Sequence, residues 1–209
     1  MTDRFPPTLR RAIDALARGD VVALLDRADR EAEADLILAA EHATGERVNR
    51  MITIARGILT LAISGERLTE LEIPLVPPHH PAPHAPRFAV PVDVAEGITT
   101  GVSAYDRAAT IRALADPSSR AEDFTCPGHV FPLAASPGGL AERQGHTEGA
   151  LALAELAGLR PVVAMCEIMA PDGLMARGAA LRRWLVEHGV APASVPQIVR
   201  VRGLTPARS

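Results

Sequence analysis

The 209-residue chain carries 25 acidic residues against 22 basic ones, all of them arginine, for a formal net charge of −3. This balance gives no general attraction to nucleic acid or to an anionic membrane, so we predict that the chain binds neither. No apolar run approaches the ~18 residues of a membrane span, and we predict a single cytoplasmic domain over residues 1–209. Because lysine is absent, Schiff-base catalysis and a lysine-dependent phosphate loop are disfavoured, and arginine must bind any anion.

Helical and extended patterns alternate along the chain. In the first part of the chain they predict a helix over 7–20, a strand over 21–25, an apolar run over 36–40, a helix over 46–54 capped by Thr44 and stopped by Gly57, a strand over 58–63 and a short helix over 64–71. In the second part they predict a helix from Ser103 to 115, a short helix near 119–122, an extended segment over 130–134, a helix over 148–157, a strand over 161–168 and a helix over 179–188. Seven prolines, with His79, His80 and His84, make 74–91 an irregular loop. The alternation favours an α/β (mixed α+β) fold, a single domain with a mixed sheet layered with helices.

A cluster of five carboxylates and two arginines directly follows the first predicted strand, at positions 26–35. Ligands of α/β proteins bind at the ends of buried strands. Glu31, Glu33 and Asp35 alternate, so an extended segment would present their carboxylates on one face, and clustered oxygens are what Mg²⁺ or Mn²⁺ requires. A solvated charged loop is the alternative interpretation of the same residues.

The segment 143–148, Arg-Gln-Gly-His-Thr-Glu, combines a glycine with the start of a helix. Free backbone N–H groups at such an end bind anions, and Arg143 and Thr147 add donors for a phosphate. His146 and Glu148 are candidate metal ligands. A simple helix cap is the alternative interpretation.

Two further residues are candidates for proton transfer. His129 lies between proline-containing turns and an apolar strand, where it is either a general acid or base or a structurally satisfied histidine. Glu167 ends an apolar strand, so it is either buried with a partner or catalytic. Cys126 and Cys166 have no CxxC spacing, and we interpret them as ordinary thiols.

Together and in this order, these segments resemble the 3,4-dihydroxy-2-butanone-4-phosphate synthase family of riboflavin biosynthesis. The most specific pieces are DREAEADL at 29–36, EGITTGVSAYDRAATIRALAD at 96–116, CPGHVFPL at 126–133, RQGHTEGALALAELAG at 143–158 and CEIMAPDGLMAR at 166–177. The resemblance runs from about residue 21 to about residue 202.

The resemblance implies conversion of D-ribulose 5-phosphate to formate and L-3,4-dihydroxy-2-butanone 4-phosphate. It also implies two Mg²⁺ (or Mn²⁺) ions per site, a sugar-phosphate substrate and a homodimer whose interface holds the site. The implied metal ligands are Glu31 and His146, and the implied catalytic residues are His129, Glu167, Asp26 and Glu33. The implied substrate-binding residues are Arg30, Glu31, Asp35, Arg143, Gln144, Gly145, His146, Thr147 and Glu167.

The chain also departs from the family pattern. The family's acidic stretch resembles DDEDRENEGD, and this chain has substitutions at Arg27, Ala28, Ala32 and Ala34, with further changes at Ala89 and Pro91, where the family has threonines. Ala28 removes one carboxylate, so we expect a weaker or redirected reaction with phosphate binding intact. The alternatives are a diverged paralogue that rearranges a related sugar phosphate and a non-catalytic sugar-phosphate-binding dimer.

Overall fold

A computed structural model describes residues 5–27, 29–79 and 86–206, which form one seven-stranded mixed sheet with helices on both faces. The α-helices of these residues are α1 (Pro7–Ala17), α2 (Gly45–Ala55), α3 (Gly65–Glu70), α4 (Ala104–Ala115), α5 (His146–Leu156), α6 (Gly178–His188) and α7 (Val195–Val201). The strands are β1 (Val22–Leu25), β2 (Ala34–Ala39), β3 (Arg56–Ile63), β4 (Val92–Val94), β5 (Phe124–Ala134), β6 (Val163–Ile168) and β7 (Ala191–Ser194). The predicted fold class is confirmed. Among the described helices, none has the length and apolar character needed to span a bilayer.

The strand order is β4-β5-β3-β6-β2-β1-β7. The β1–β7 and β3–β5 pairs are parallel, and the remaining pairs are antiparallel. All six residues of the central strand β2 are buried, because helices cover both of its faces. A strand buried on both sides has no need of polar alternation, which explains why its sequence is almost wholly apolar apart from Asp35.

Two hydrophobic layers lie on opposite faces of the sheet. Leu36 and Cys166 belong to the layer that packs against α2, α4 and α6, whereas Ile37 and Met165 belong to the layer that packs against α1, α5 and α7. Side chains alternate between the two faces of a strand. Residues 35 and 167 therefore face the α5 side of the sheet.

Most predicted boundaries hold, and the differences have local causes. Thr44 and Ser103 cap α2 and α4 as predicted, and each side chain accepts the backbone N–H of the residue three positions later in the chain. Gly57 does not end α2: the helix ends at Ala55, and Arg56 takes the left-handed conformation with φ 73°. Gly57 lies instead in β3, where a Cβ would stand 2.4 Å from the Glu167 carbonyl oxygen. The glycine is required for close contact with β6.

Other elements differ more from the sequence expectation. The extended segment predicted at 130–134 is the second half of β5, and the helix predicted near 119–122 is a single 3-10 turn, Ala121–Asp123. Strands β4 and β7 and helix α7 were not predicted. Both strands are short and lie at the edges of the sheet, where packing gives little sequence pattern.

The described parts of the proline-rich segment, 74–79 and 86–91, pair through isolated bridges. Leu75 pairs with Ala89 and Phe88 pairs with Leu133 through isolated bridges. His80 and His84 lie outside the described residues, which resume at residue 86.

Candidate active site

One end of the sheet collects the predicted site residues. The antiparallel pairing of β1, β2 and β6 brings the end of β1, the start of β2 and the end of β6 to the same edge. Asp35 stands directly opposite Glu167 in this pairing, and both face the side of the sheet that α5 covers. The first turn of α5 thus begins above two carboxylates.

An acidic connection leads from β1 to β2 and carries the metal-ligand candidates. The Arg30 guanidinium donates to Asp26 Oδ2 at 2.6 Å and lies 2.7 Å from Glu31 Oε1, so that it holds both carboxylates. His146, at the start of α5, places Nδ1 3.7 Å from Glu31 Oε2. One potential ligand atom each from Asp26, Glu31 and His146 lies within 4.8 Å of the others.

This cluster fits a hard divalent cation. The buried Asp26 Oδ1 and His146 Nε2 have no hydrogen-bond partner among the described residues. A buried polar atom left without a partner costs about 1–3 kcal/mol, so two such atoms, on two residues of one cluster, favour a ligand site here. Carboxylate oxygens and an imidazole nitrogen are suitable donors for Mg²⁺ or Mn²⁺. Asp26, which the resemblance implied as catalytic, is therefore also a potential metal ligand.

The expected single face of Glu31, Glu33 and Asp35 is wrong. Ala32 takes a left-handed conformation with φ 55°, which interrupts the extended backbone before β2 begins at Ala34. As a result Glu31 turns to His146, whereas Glu33 pairs with Arg177 at the start of α6. Ala28 lies outside the described residues, so its predicted effect stays a prediction.

Burial dominates the electrostatics of Asp35. This carboxyl is only 5% exposed, and burial raises its pKa from 3.8 to about 6. The charges of Glu167, Glu31 and Glu33 add to the rise, while His146 opposes it. Glu167 is better satisfied, because its Oε2 accepts the Ile58 N–H at 2.8 Å. Burial also raises the pKa of Cys166 to about 12, as expected of an unreactive thiol on the opposite face.

The start of α5 has no side-chain cap. Gly145 is the N-cap, and no side chain caps the helix, which leaves its first N–H groups for a ligand. Glu148 does not join the metal cluster, contrary to its candidacy from the sequence. It accepts from Arg143 Nη1 at 2.9 Å and from the Ser136 N–H at 3.0 Å, and is buried.

Gly145 brings Arg143 close to the helix start. A Cβ at Gly145 would stand 2.5 Å from Arg143 Nη1. Thr147 is buried in the first turn, and the Gln144 side chain donates to the Thr205 carbonyl at 2.8 Å. The substrate-binding roles of these residues stay predictions.

His129 belongs to β5, which is separated from β6 by β3. It lies in the irregular stretch of β5 between Thr125 and Val130, where the pairing with β4 shifts register. Its Nδ1 lies 2.7 Å from Asp93 Oδ2, and its backbone N–H donates to Asp93 Oδ1 at 2.9 Å. Sequence reasoning missed Asp93, whose only signal was a carboxylate amid the apolar residues of a short strand.

Comparisons with known proteins identify the family of the chain. The family model of 3,4-dihydroxy-2-butanone 4-phosphate synthase matches residues 10–201. The synthase of Bordetella pertussis strain Tohama I is 44% identical over 206 residues, which cover 97% of this chain and 90% of that protein. The synthase of Rhodospirillum rubrum is 46% identical over 191 residues, covering 91% and 89% of the two chains.

Two solved structures share the fold. A 3,4-dihydroxy-2-butanone 4-phosphate synthase in complex with two magnesium ions has a TM-score of 0.85 at 35% identity, covering 92% of this chain and 94% of that one. RibBX, a two-domain synthase from A. baumannii, has a TM-score of 0.88 at 40% identity, covering 93% of this chain and 57% of that one. The chain therefore belongs to the 3,4-dihydroxy-2-butanone 4-phosphate synthase family of lyases.

Proposed function

We propose that the chain converts D-ribulose 5-phosphate to formate and L-3,4-dihydroxy-2-butanone 4-phosphate at the cluster of Asp26, Glu31 and His146. The observation that carries the proposal is that one potential ligand atom from each of the three residues lies within 4.8 Å of the others. Two of these residues, Asp26 and His146, are buried and each has a side-chain atom without a hydrogen-bond partner. Membership of the family supplies the reaction, and the cluster supplies a place for the metal on which the reaction depends.

Two Mg²⁺ ions per site are proposed, with Mn²⁺ as the alternative. A related synthase of known structure binds two magnesium ions. Here Glu31 and His146 would bind metal, and Asp26 is close enough to share an ion with them. When bound, the ions would stabilise negative charge on the substrate oxygens.

The phosphate group is proposed to bind at the start of α5. The uncapped N–H groups and the helix dipole favour an anion there, and Arg143 adds a guanidinium that Glu148 holds at 2.9 Å. Thr147 adds a hydroxyl in the same turn. Anchoring the phosphate lets its binding energy position the reacting carbons of the substrate near Asp35 and Glu167.

Proton transfer is proposed for two carboxylates and a histidine that strands of the sheet carry. Asp35, with its pKa raised to about 6 by burial, is a stronger base than an exposed carboxylate and is still largely ionised at pH 7. Glu167 lies opposite Asp35, and His129 lies two strands away. The rearrangement needs several protons moved in turn, which requires more than one such group. Glu33, paired with Arg177, is proposed to act at the periphery of this set.

A homodimer is proposed because apolar side chains are exposed around this end of the sheet. Ile58, Val102 and Leu174 are 59%, 57% and 68% exposed. Ile58 precedes the buried part of β3 and bonds Glu167 through its N–H, so a second subunit packed there would also exclude water from the site. Light scattering should give twice the 22.1 kDa mass of one chain, and a mass of one chain at micromolar concentration would refute the dimer. The cytoplasmic location remains a prediction from the sequence.

Formate release from D-ribulose 5-phosphate tests the proposed reaction. We expect release with Mg²⁺ or Mn²⁺, no release after exhaustive EDTA treatment, and recovery when the metal is returned. The Glu31→Gln variant should lose release, while Glu155→Gln, a change elsewhere on the surface, should keep it. Binding of ribulose 5-phosphate without formate release would favour the non-catalytic dimer. Release of a different product would favour a diverged paralogue.

A further inference from the structure

Asp93 makes two contacts with one residue. Its Oδ2 lies 2.7 Å from His129 Nδ1, and its Oδ1 accepts the His129 backbone N–H at 2.9 Å. The carboxylate is buried, with a side-chain exposure of 9%, and it has no arginine partner within the described ranges. Burying a carboxylate away from any cation is costly, so its retention beside a histidine needs an explanation.

A glycine loop packs against this pair. Gly101 has φ 90°, and a Cβ there would stand 2.2 Å from Asp93 Oδ2 and 2.5 Å from His129 Nδ1. Asp106 at the start of α4 fixes the loop, since it accepts N–H groups from Thr99 and Gly101, both at 3.1 Å, and the Thr99 hydroxyl at 2.6 Å. The backbone of residues 99–101, which Asp106 holds in place, therefore packs against the Asp93–His129 contact.

The contact selects one form of the imidazole. A carboxylate beside Nδ1 accepts a hydrogen bond only if Nδ1 carries the proton, which leaves Nε2 without one in the neutral ring. The His129 side chain is 43% exposed, so the ring is not enclosed on all sides and can meet a ligand. Nε2 is then an acceptor with a fixed direction, as a general base requires.

We propose that Asp93 is a positioning residue that holds His129 in the Nδ1–H tautomer with Nε2 available for proton transfer. The inference rests on the proposed function for the role of His129 in catalysis. The tautomer itself does not depend on that function, and the two are tested separately.

Nitrogen-15 NMR of the histidine side chains reports the tautomer directly. The signal of His129 is assigned by its absence from the His129→Ala spectrum. In the wild-type protein at a pH where the ring is neutral, we expect Nδ1 to be protonated and Nε2 unprotonated. In Asp93→Asn we expect this preference to be lost. A wild-type ring protonated at Nε2 would overturn the proposal without need of any variant.

Kinetics separate positioning from a merely structural role. Asp93→Asn should lower kcat for formate release by about 100-fold or more with little change in KM, because proton transfer suffers and phosphate binding does not. Asp116→Asn is the matched control: its carboxylate also accepts a backbone N–H, at 2.9 Å from Ser118, but lies outside the site. This control should keep the wild-type kcat.

A double-mutant cycle completes the test. If Asp93 acts through His129, adding Asp93→Asn to His129→Ala should change kcat no further. Losses that multiply in the double variant would overturn the proposal, as would a full kcat in Asp93→Asn. A wild-type protein that releases no formate would contradict the proposed function alone, and the nitrogen spectra would still decide the tautomer.

Discussion

Replacing Asp35 by asparagine should stabilise the metal-free protein while removing its activity. The carboxyl is 5% exposed, and burial raises its pKa from 3.8 to about 6. A raised carboxyl pKa means that the folded state resists ionisation, so Asp35 weakens the fold wherever it is charged. Asparagine has nearly the shape of the protonated acid and never ionises.

The pKa difference sets the size of the effect. At 1.36 kcal/mol for each pKa unit, the rise from 3.8 to about 6 corresponds to at most about 3 kcal/mol of lost stability above pH 6. For a chain of this length, the gain in the asparagine variant is roughly 6–12 °C in melting temperature. The penalty begins as pH rises past the unfolded value of 3.8 and is complete above about 6. The difference in stability between the two proteins should therefore shrink to a small fraction of its full size as the pH falls to 4.

Thermal unfolding in EDTA, followed by circular dichroism from pH 4 to pH 8, measures this difference. Asp20→Asn is the control, because Asp20 is exposed and pairs with Arg18 on the surface, and it should leave the melting temperature nearly unchanged. An Asp35→Asn variant less stable than wild type at pH 8 would refute the reasoning. So would a stability gain of the same size at pH 4 and pH 8. Formate release should fall sharply at the same time, since functional residues are often retained at the expense of stability.

Four further substitutions are informative. His146→Ala should abolish turnover and the stabilisation by added Mg²⁺ but lower the melting temperature in EDTA by only a few degrees; a Mg²⁺-dependent gain that survives the change would contradict the metal assignment. Glu148→Gln should raise KM by about 10-fold, because Arg143 loses its charged partner, whereas Glu155→Gln on the same helix should not. Ala28→Glu, which restores the family's acid, should raise formate release about 10-fold or more, and an unchanged rate would show that the departure is neutral. Ala32→Asn should stabilise the fold by up to about 1 kcal/mol in urea unfolding, because asparagine tolerates the φ of 55° better than alanine; an unchanged midpoint would contradict this.

The sequence predicted the central strands because a strand that is buried on both faces consists almost wholly of apolar residues. The apolar runs of β1, β3 and β6 were recognisable for this reason. The caps Thr44 and Ser103 were recognisable for another reason, because a hydroxyl at a helix start accepts a free backbone N–H. An edge strand such as β4 has no such composition, because its three residues, Val92–Val94, are too few to show a period.

The site was predictable only in part. Motifs identified the residues 26–35 and 143–148, yet the direction of each side chain depended on backbone conformation that no pattern revealed. Ala32 at positive φ sends Glu31 and Glu33 to different neighbours. Asp93 lies 36 residues from His129, and a register shift between Val92 and Asp93 sets their contact. Such contacts arise only when the sheet has assembled.

The carboxylates of this site lie on two kinds of backbone, central strands and a turn. Asp35 and Glu167 lie on central strands, where neighbouring strands on both sides fix the backbone. Glu31 instead belongs to the turn that joins β1 to β2. The carboxylates proposed for proton transfer are thus fixed by the sheet, whereas Glu31, a proposed metal ligand, can change its distance from an ion without disturbing the sheet. We therefore expect a centre built in this way to accept cations of somewhat different radius, such as Mg²⁺ and Mn²⁺.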